Sequence, residues 1–85
     1  MSYYNDIALD KAIKEAEREY DWDISYEQRG EEEIGRSTLD HYRVYIDGQY
    51  AQDEAEDFFR DFDFYSVSVY TTDYSYCELE IEIKS

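Results

Sequence analysis

The chain has 85 residues, 23 of them Asp or Glu and 8 Lys or Arg, for a formal net charge of −15 at neutral pH. A chain this short folds as one domain around one small core, and a surface this acidic repels DNA, RNA and anionic membranes while attracting proteins whose working surface is basic. Solubility asks for a net charge of only about 2 to 8 in magnitude, so the surplus points to function.

Acidity of this order also marks disordered chains, but those are poor in aromatic and β-branched residues. Here there are eleven Tyr, four Phe, one Trp and seven Ile, enough apolar surface to fold. Met1 to Asp10 shows no basic region followed by an apolar run, which predicts no secretory signal. No stretch approaches the ~18 apolar residues of a membrane helix. The expectation is a cytoplasmic protein that needs no cofactor.

From Asn5 to Tyr20 the residues Leu9, Ala12, Ile13, Ala16 and Tyr20 recur at spacings of three and four, which predicts a helix with one buried stripe. Asn5 or Asp6 is the expected N-cap. Residues 1–18 hold four acids and three bases, against nineteen acids and five bases in the remaining 67. The acidic field therefore belongs to the chain beyond this helix. Trp22, Ile24 and Tyr26 alternate with Asp23, Ser25 and Glu27, predicting a strand with one face buried. Gly30 and Gly35 bracket Glu31, Glu32 and Glu33, expected as an exposed hairpin loop. Tyr42, Val44 and Ile46 then alternate with His41, Arg43 and Tyr45 up to the turn Asp47-Gly48.

Helical period returns over residues 53–62, with Ala51, Ala55, Phe58 and Phe62 on one stripe and Asp53 as cap. Phe64 to Thr71 is rich in Val and Tyr at period two, with Thr72-Asp73 as the expected turn. Finally Cys77, Leu79, Ile81 and Ile83 alternate strictly with Glu78, Glu80, Glu82 and Lys84. The order α-β-β-α-β-β predicts an α+β fold over residues 1–85, a four-stranded antiparallel sheet with two helices on one face.

Chemistry is sparse. Cys77 is the only cysteine and His41 the only histidine, so an internal disulfide and a cysteine-based zinc site of the usual four-ligand kind are excluded. The alternation around Cys77 explains it as a small core residue rather than a nucleophile. Asp21-x-Asp23, Asp61-x-Asp63 and the Glu78, Glu80, Glu82 column lack the loop pattern of a calcium site. A sheet this small offers little depth for a catalytic pocket, and no enzyme is expected.

The strand column carries a geometric message. Residues two apart on a strand are separated by about 6.6 to 6.8 Å, while one strand of duplex DNA advances about 3.4 Å per phosphate. Glu78, Glu80 and Glu82 thus fall near the pitch of every second phosphate. Glu31 to Glu33, the stripe Asp53, Asp57 and Asp61 with Glu54 and Glu56, and Asp63 add charge of the same sign with few bases between. A surface charged only for solubility intersperses both signs. The tyrosines, Tyr76 among them, are too many for so small a core and give rigid contact area of the kind enriched at interfaces.

Small size, strong acidity, richness in Tyr and Asp/Glu, and mixed α/β order over the whole chain resemble the phage-encoded DNA mimics, the anti-CRISPR and anti-restriction proteins. The resemblance implies an inhibitor that occupies the basic nucleic-acid-binding surface of a defence nuclease complex, most naturally a CRISPR effector, binding no nucleic acid and no membrane itself, as a monomer or small homodimer. The competing expectations are an acidic immunity or antitoxin protein that blocks a toxic nuclease, and an acidic adaptor of another class.

Overall fold

A computed structural model of the chain describes residues 3–85. Its elements are α1 (Tyr3–Tyr20), β1 (Asp23–Ile34), β2 (Ser37–Asp47), α2 (Ala51–Arg60), β3 (Ser66–Asp73) and β4 (Tyr76–Lys84). All strand pairs are antiparallel and the sheet order is β1-β2-β4-β3. Each half of the chain is a helix followed by a hairpin, and the two hairpins meet along β2 and β4. The α+β fold with the order α-β-β-α-β-β is as the sequence predicts, with both helices on one face of the sheet.

The core follows from two periodicities. Leu9, Ala12, Ile13 and Ala16 of α1 are buried, as are Ala51, Ala55 and Phe59 of α2, and they meet Tyr42, Val44 and Ile46 of β2 and Cys77, Leu79, Ile81 and Ile83 of β4. Small Ala side chains on both helices let the helices approach the sheet closely. Trp22 is buried just before β1, stacked on Tyr20 at 4.1 Å between ring centroids, with its indole N–H donated to the Gln49 carbonyl at 2.8 Å. Phe58 stands edge-on to both rings, and Phe62 and Phe64 stack beyond it at 5.7 Å. Gly48 is required against this cluster: a Cβ there would lie 2.5 Å from the indole Cδ1, and φ is +154°.

Several expected boundaries move, each for a local reason. Helix α1 already runs from Tyr3, so neither Asn5 nor Asp6 caps it. Asn5 is instead buried and donates Nδ2 to Asp40 Oδ2 at 3.0 Å and to the Ile83 carbonyl at 2.9 Å, and Asp6 accepts from the Tyr42 hydroxyl. Glu31, Glu32 and Glu33 are not a loop. They extend β1, opposite Asp40, Leu39 and Thr38, and the turn is Gly35-Arg36 with Gly35 at φ +61°. Alternation reports only a half-buried strand; here the ladder continues on backbone hydrogen bonds, with Leu39 and Asp40 of β2 buried but β1 exposed from Glu31 to Ile34.

Helix α2 begins at Ala51, with Tyr50 in the left-handed region (φ 68°) as an N-cap that makes no side-chain bond; Asp53 lies in the first turn. The buried stripe is Ala51, Ala55 and Phe59, while Phe58 is only partly buried and Phe62 lies beyond the helix. The adjacent pair Phe58-Phe59 makes the stripe ambiguous by one position in the sequence. Strand β3 continues through Thr72 and Asp73, and the turn into β4 is Tyr74-Ser75, with Ser75 at φ 56°. Tyr26 is less covered than predicted, at 36% exposure, its ring edge-on to Tyr42.

Candidate partner-binding surface

The acidic residues divide between the two sides of the sheet. On the helical side, α2 and the segment after it expose Asp53, Glu54, Asp57, Asp61 and Asp63, with Glu56 half-buried. The buried stripe Ala51, Ala55, Phe59 turns Asp53, Asp57 and Asp61 outward at four-residue spacing. That spacing is about 6 Å along a helix axis, close to the roughly 6.8 Å of every second phosphate. The one base of this helix, Arg60, is engaged by Glu56 at 2.7 Å. Among the described residues, Asp53, Glu54, Asp57, Asp61 and Asp63 take part in none of the ion pairs. The field reaches the neighbouring helix: the Tyr20 hydroxyl is held above its ordinary pKa by partial burial first, then by the charges of Glu54, Glu19 and Asp61.

The strand column lies on the opposite, uncovered face of the sheet and is balanced differently. Cross-strand pairing sets Glu80 beside Arg43 and Glu82 beside His41. Arg43 Nη2 bonds Glu80 Oε1 at 2.6 Å, and its guanidinium lies 3.6 Å over the Tyr70 ring. Glu82 takes His41 Nδ1 at 2.7 Å and the Ser66 hydroxyl at 2.5 Å, while His41 Nε2 stands 3.4 Å from Glu32. Glu78 forms no ion pair among the described residues. After burial, its charge and hydrogen bond raise the Tyr76 hydroxyl above the ordinary tyrosine pKa. Glu27, on β1, accepts from the Tyr45 hydroxyl at 2.6 Å and from Arg29 at 3.0 Å, and these bonds hold its carboxyl below the usual range. Of the column, then, two carboxylates are bound to bases and one is not.

The run Glu31 to Glu33 does not act as one patch. As consecutive residues of a strand, Glu31 and Glu33 face one way and Glu32 the other, toward His41. The carboxylates expected from sequence therefore separate into a helix stripe outside the ion pairs, a strand column with two of its three carboxylates engaged, and a divided edge. Sequence spacing places carboxylates along an element; it does not show which base the register brings opposite them, and Arg43 and His41 escape sequence reasoning for that reason. Their alternation with Tyr42, Val44 and Ile46 is the available signal.

No protein-family model, curated protein or solved structure matches the chain. Cys77 points into the core, where burial foremost, then Glu56 and Glu78, pushes its thiol up to about 11, while His41 stands on the other face of the sheet, so the two do not form a nucleophile and base. Among the described residues no three His, Cys, Asp or Glu side chains are grouped to hold a metal ion, and no described helix is long and apolar enough to cross a membrane.

Proposed function

We propose that this protein is a DNA-mimicking inhibitor, an anti-CRISPR in type, that occupies the basic nucleic-acid-binding surface of a bacterial defence nuclease complex. The observation that carries the reading is the α2 surface: five exposed carboxylates, outside every ion pair among the described residues, on and just after a helix anchored by Ala51, Ala55 and Phe59. Holding like charges together on one face opposes folding, so their retention is explained by a partner that supplies the counter-charge. A groove built for phosphates meets carboxylates at a similar pitch, and complementary potentials speed the encounter. The column Glu78, Glu80 and Glu82, two of whose carboxylates are already engaged, is secondary in this reading: Glu80 and Glu82 exchange Arg43 and His41 for the partner's bases only at the cost of those bonds.

The test is competition. Purified CRISPR effector complexes and restriction nucleases are titrated with the protein in the presence of labelled target DNA. The expected result is that one of them loses DNA as the protein binds, with the protein alone shifting no DNA, and that added salt weakens the inhibition. Stable ternary complexes with undiminished DNA binding throughout the panel would sink the mimic reading.

A further inference from the structure

The outer strands of the sheet, β1 and β3, are guarded in different ways. A bare strand edge is a template for another chain, and proteins blunt such edges with charge. β1 carries Asp23, Glu27, Arg29, Glu31, Glu32 and Glu33 along its length. β3 carries no charge from Ser66 to Thr72, its only one being Asp73 at the end. With Phe64 and Tyr65 before it, the stretch 64–72 is a charge-free run in a chain of net charge −15. Its exposed side chains are uncharged, Ser68, Thr71 and Thr72 beside Val69 at 41%, Tyr65 at 56% and Tyr70 at 58% exposure, with the Arg43 guanidinium over one face of the Tyr70 ring. Both outer strands contain an irregularity, at Gln28/Gly30 and at Val69/Thr71, so the bulge does not distinguish them; charge does. The cover on β3 is the Arg60 guanidinium, 3.2 Å from the Val67 carbonyl, and that same guanidinium is neutralised by Glu56.

We propose that β3 is a dimerisation edge, on which β3 of a second copy pairs antiparallel across a two-fold axis to make one eight-stranded sheet. The identity of the occupant follows from the charge. A basic partner gains nothing from a surface without carboxylates, and the acids it would seek lie on α2. Two copies of so acidic a chain can meet only where carboxylates are missing, and a two-fold contact sets this segment against itself, so a charge-free run on one copy faces a charge-free run on the other. The inference concerns this chain alone and stands apart from the decoy reading.

Sedimentation equilibrium on the purified chain tests it. The expected result is a species of twice the 10.3 kDa chain mass whose dissociation constant falls as salt is raised, because screening relieves the repulsion between copies. That is the opposite of the salt response of a charge-paired complex. Val69→Lys should raise the dissociation constant at least about tenfold, equivalent to 1.4 kcal/mol, although it lowers the net charge and so weakens the repulsion. Thr72→Lys, at an exposed position, repeats the test should Val69→Lys disturb the fold, and circular dichroism reports on both. Glu33→Lys on the β1 edge should leave the dimer intact. A single 10.3 kDa species at every salt and protein concentration overturns the proposal, and so does a dimer that a folded Val69→Lys or Thr72→Lys protein forms as tightly as before.

Discussion

Reversing the helix stripe, Asp53, Asp57 and Asp61 to Lys, separates charge kept for a partner from charge kept for solubility. The change alters the formal net charge from −15 by six units. Its cost to the fold is small because the terms oppose one another. Lys at 53, in the first turn of α2, loses about 0.3 to 1 kcal/mol against the helix dipole, and Lys at 61, the C-cap, regains a similar amount. Lys at 57 has the better helix propensity by a few tenths, and relief of repulsion with the other carboxylates adds to stability. The net change is expected within ~1 kcal/mol, read as a shift of a urea midpoint. Binding has no such cancellation. Exposed pairs are worth about 0.2 to 1 kcal/mol each and desolvated ones about 2 to 5, so with one of the three pairs desolvated the reversals should cost at least ~2.4 kcal/mol, roughly fiftyfold in Kd. The assay is the competition titration against DNA, run on any nuclease complex of the panel that the protein is found to displace from DNA. A control on the other helix, Asp10→Lys, should change Kd far less; Asp6 is unsuitable because it receives the buried Tyr42 hydroxyl. If the triple variant is folded and inhibits with unchanged affinity and salt dependence, the α2 stripe is not the contact surface.

Tyr50→Asn should raise stability by about 1 kcal/mol, since Asn tolerates the left-handed backbone and supplies the missing cap; for a domain of this size that is roughly 4 to 8 °C in Tm. Asn5→Ala removes the donor shared by Asp40 and the Ile83 carbonyl and should destabilise by ~1 to 3 kcal/mol in denaturant titrations. Burial first, then the hydrogen bond to Asp6, raises the Tyr42 hydroxyl above its ordinary 10.0. A folded pKa above the unfolded one gives stability that is complete below about pH 10 and lost as pH rises past it, with a slope of up to about 1.4 kcal/mol per pH unit for one proton. Melting curves from about pH 8 to pH 11 should therefore fall less steeply for Tyr42→Phe, and equal slopes would refute the assignment.

How far each element can be read depends on whether its physics is local. Cys77 to Ile83 is legible residue by residue, since a strand buried on one face writes its burial directly into period two. So is the core stripe of α1. The outer half of the first hairpin is not, because Glu31 to Ile34 pair through backbone groups with side chains exposed, a state that leaves no apolar pattern. Tyr50 cannot be read as a cap, for its role rests on a backbone angle its side chain disfavours. The carboxylates of the candidate site are all visible as residues. Their division into free and engaged sets is not, because it depends on the register that brings Arg43 to Glu80 and His41 to Glu82, residues far apart in the chain.

The strand order β1-β2-β4-β3 also governs how the chain reaches its native state. The two central strands come from different halves, so a hairpin formed alone, however quickly, still exposes the apolar flank of β2 or β4 until the other arrives. Joining residues 37–47 to 76–84 closes a long loop around α2, an entropic cost met only late, when Val44 and Ile46 settle beside Leu79 and Cys77. Between hairpin formation and that docking step each half carries an uncovered hydrophobic seam as well as its own excess of negative charge, and the charge keeps the seams of different molecules apart.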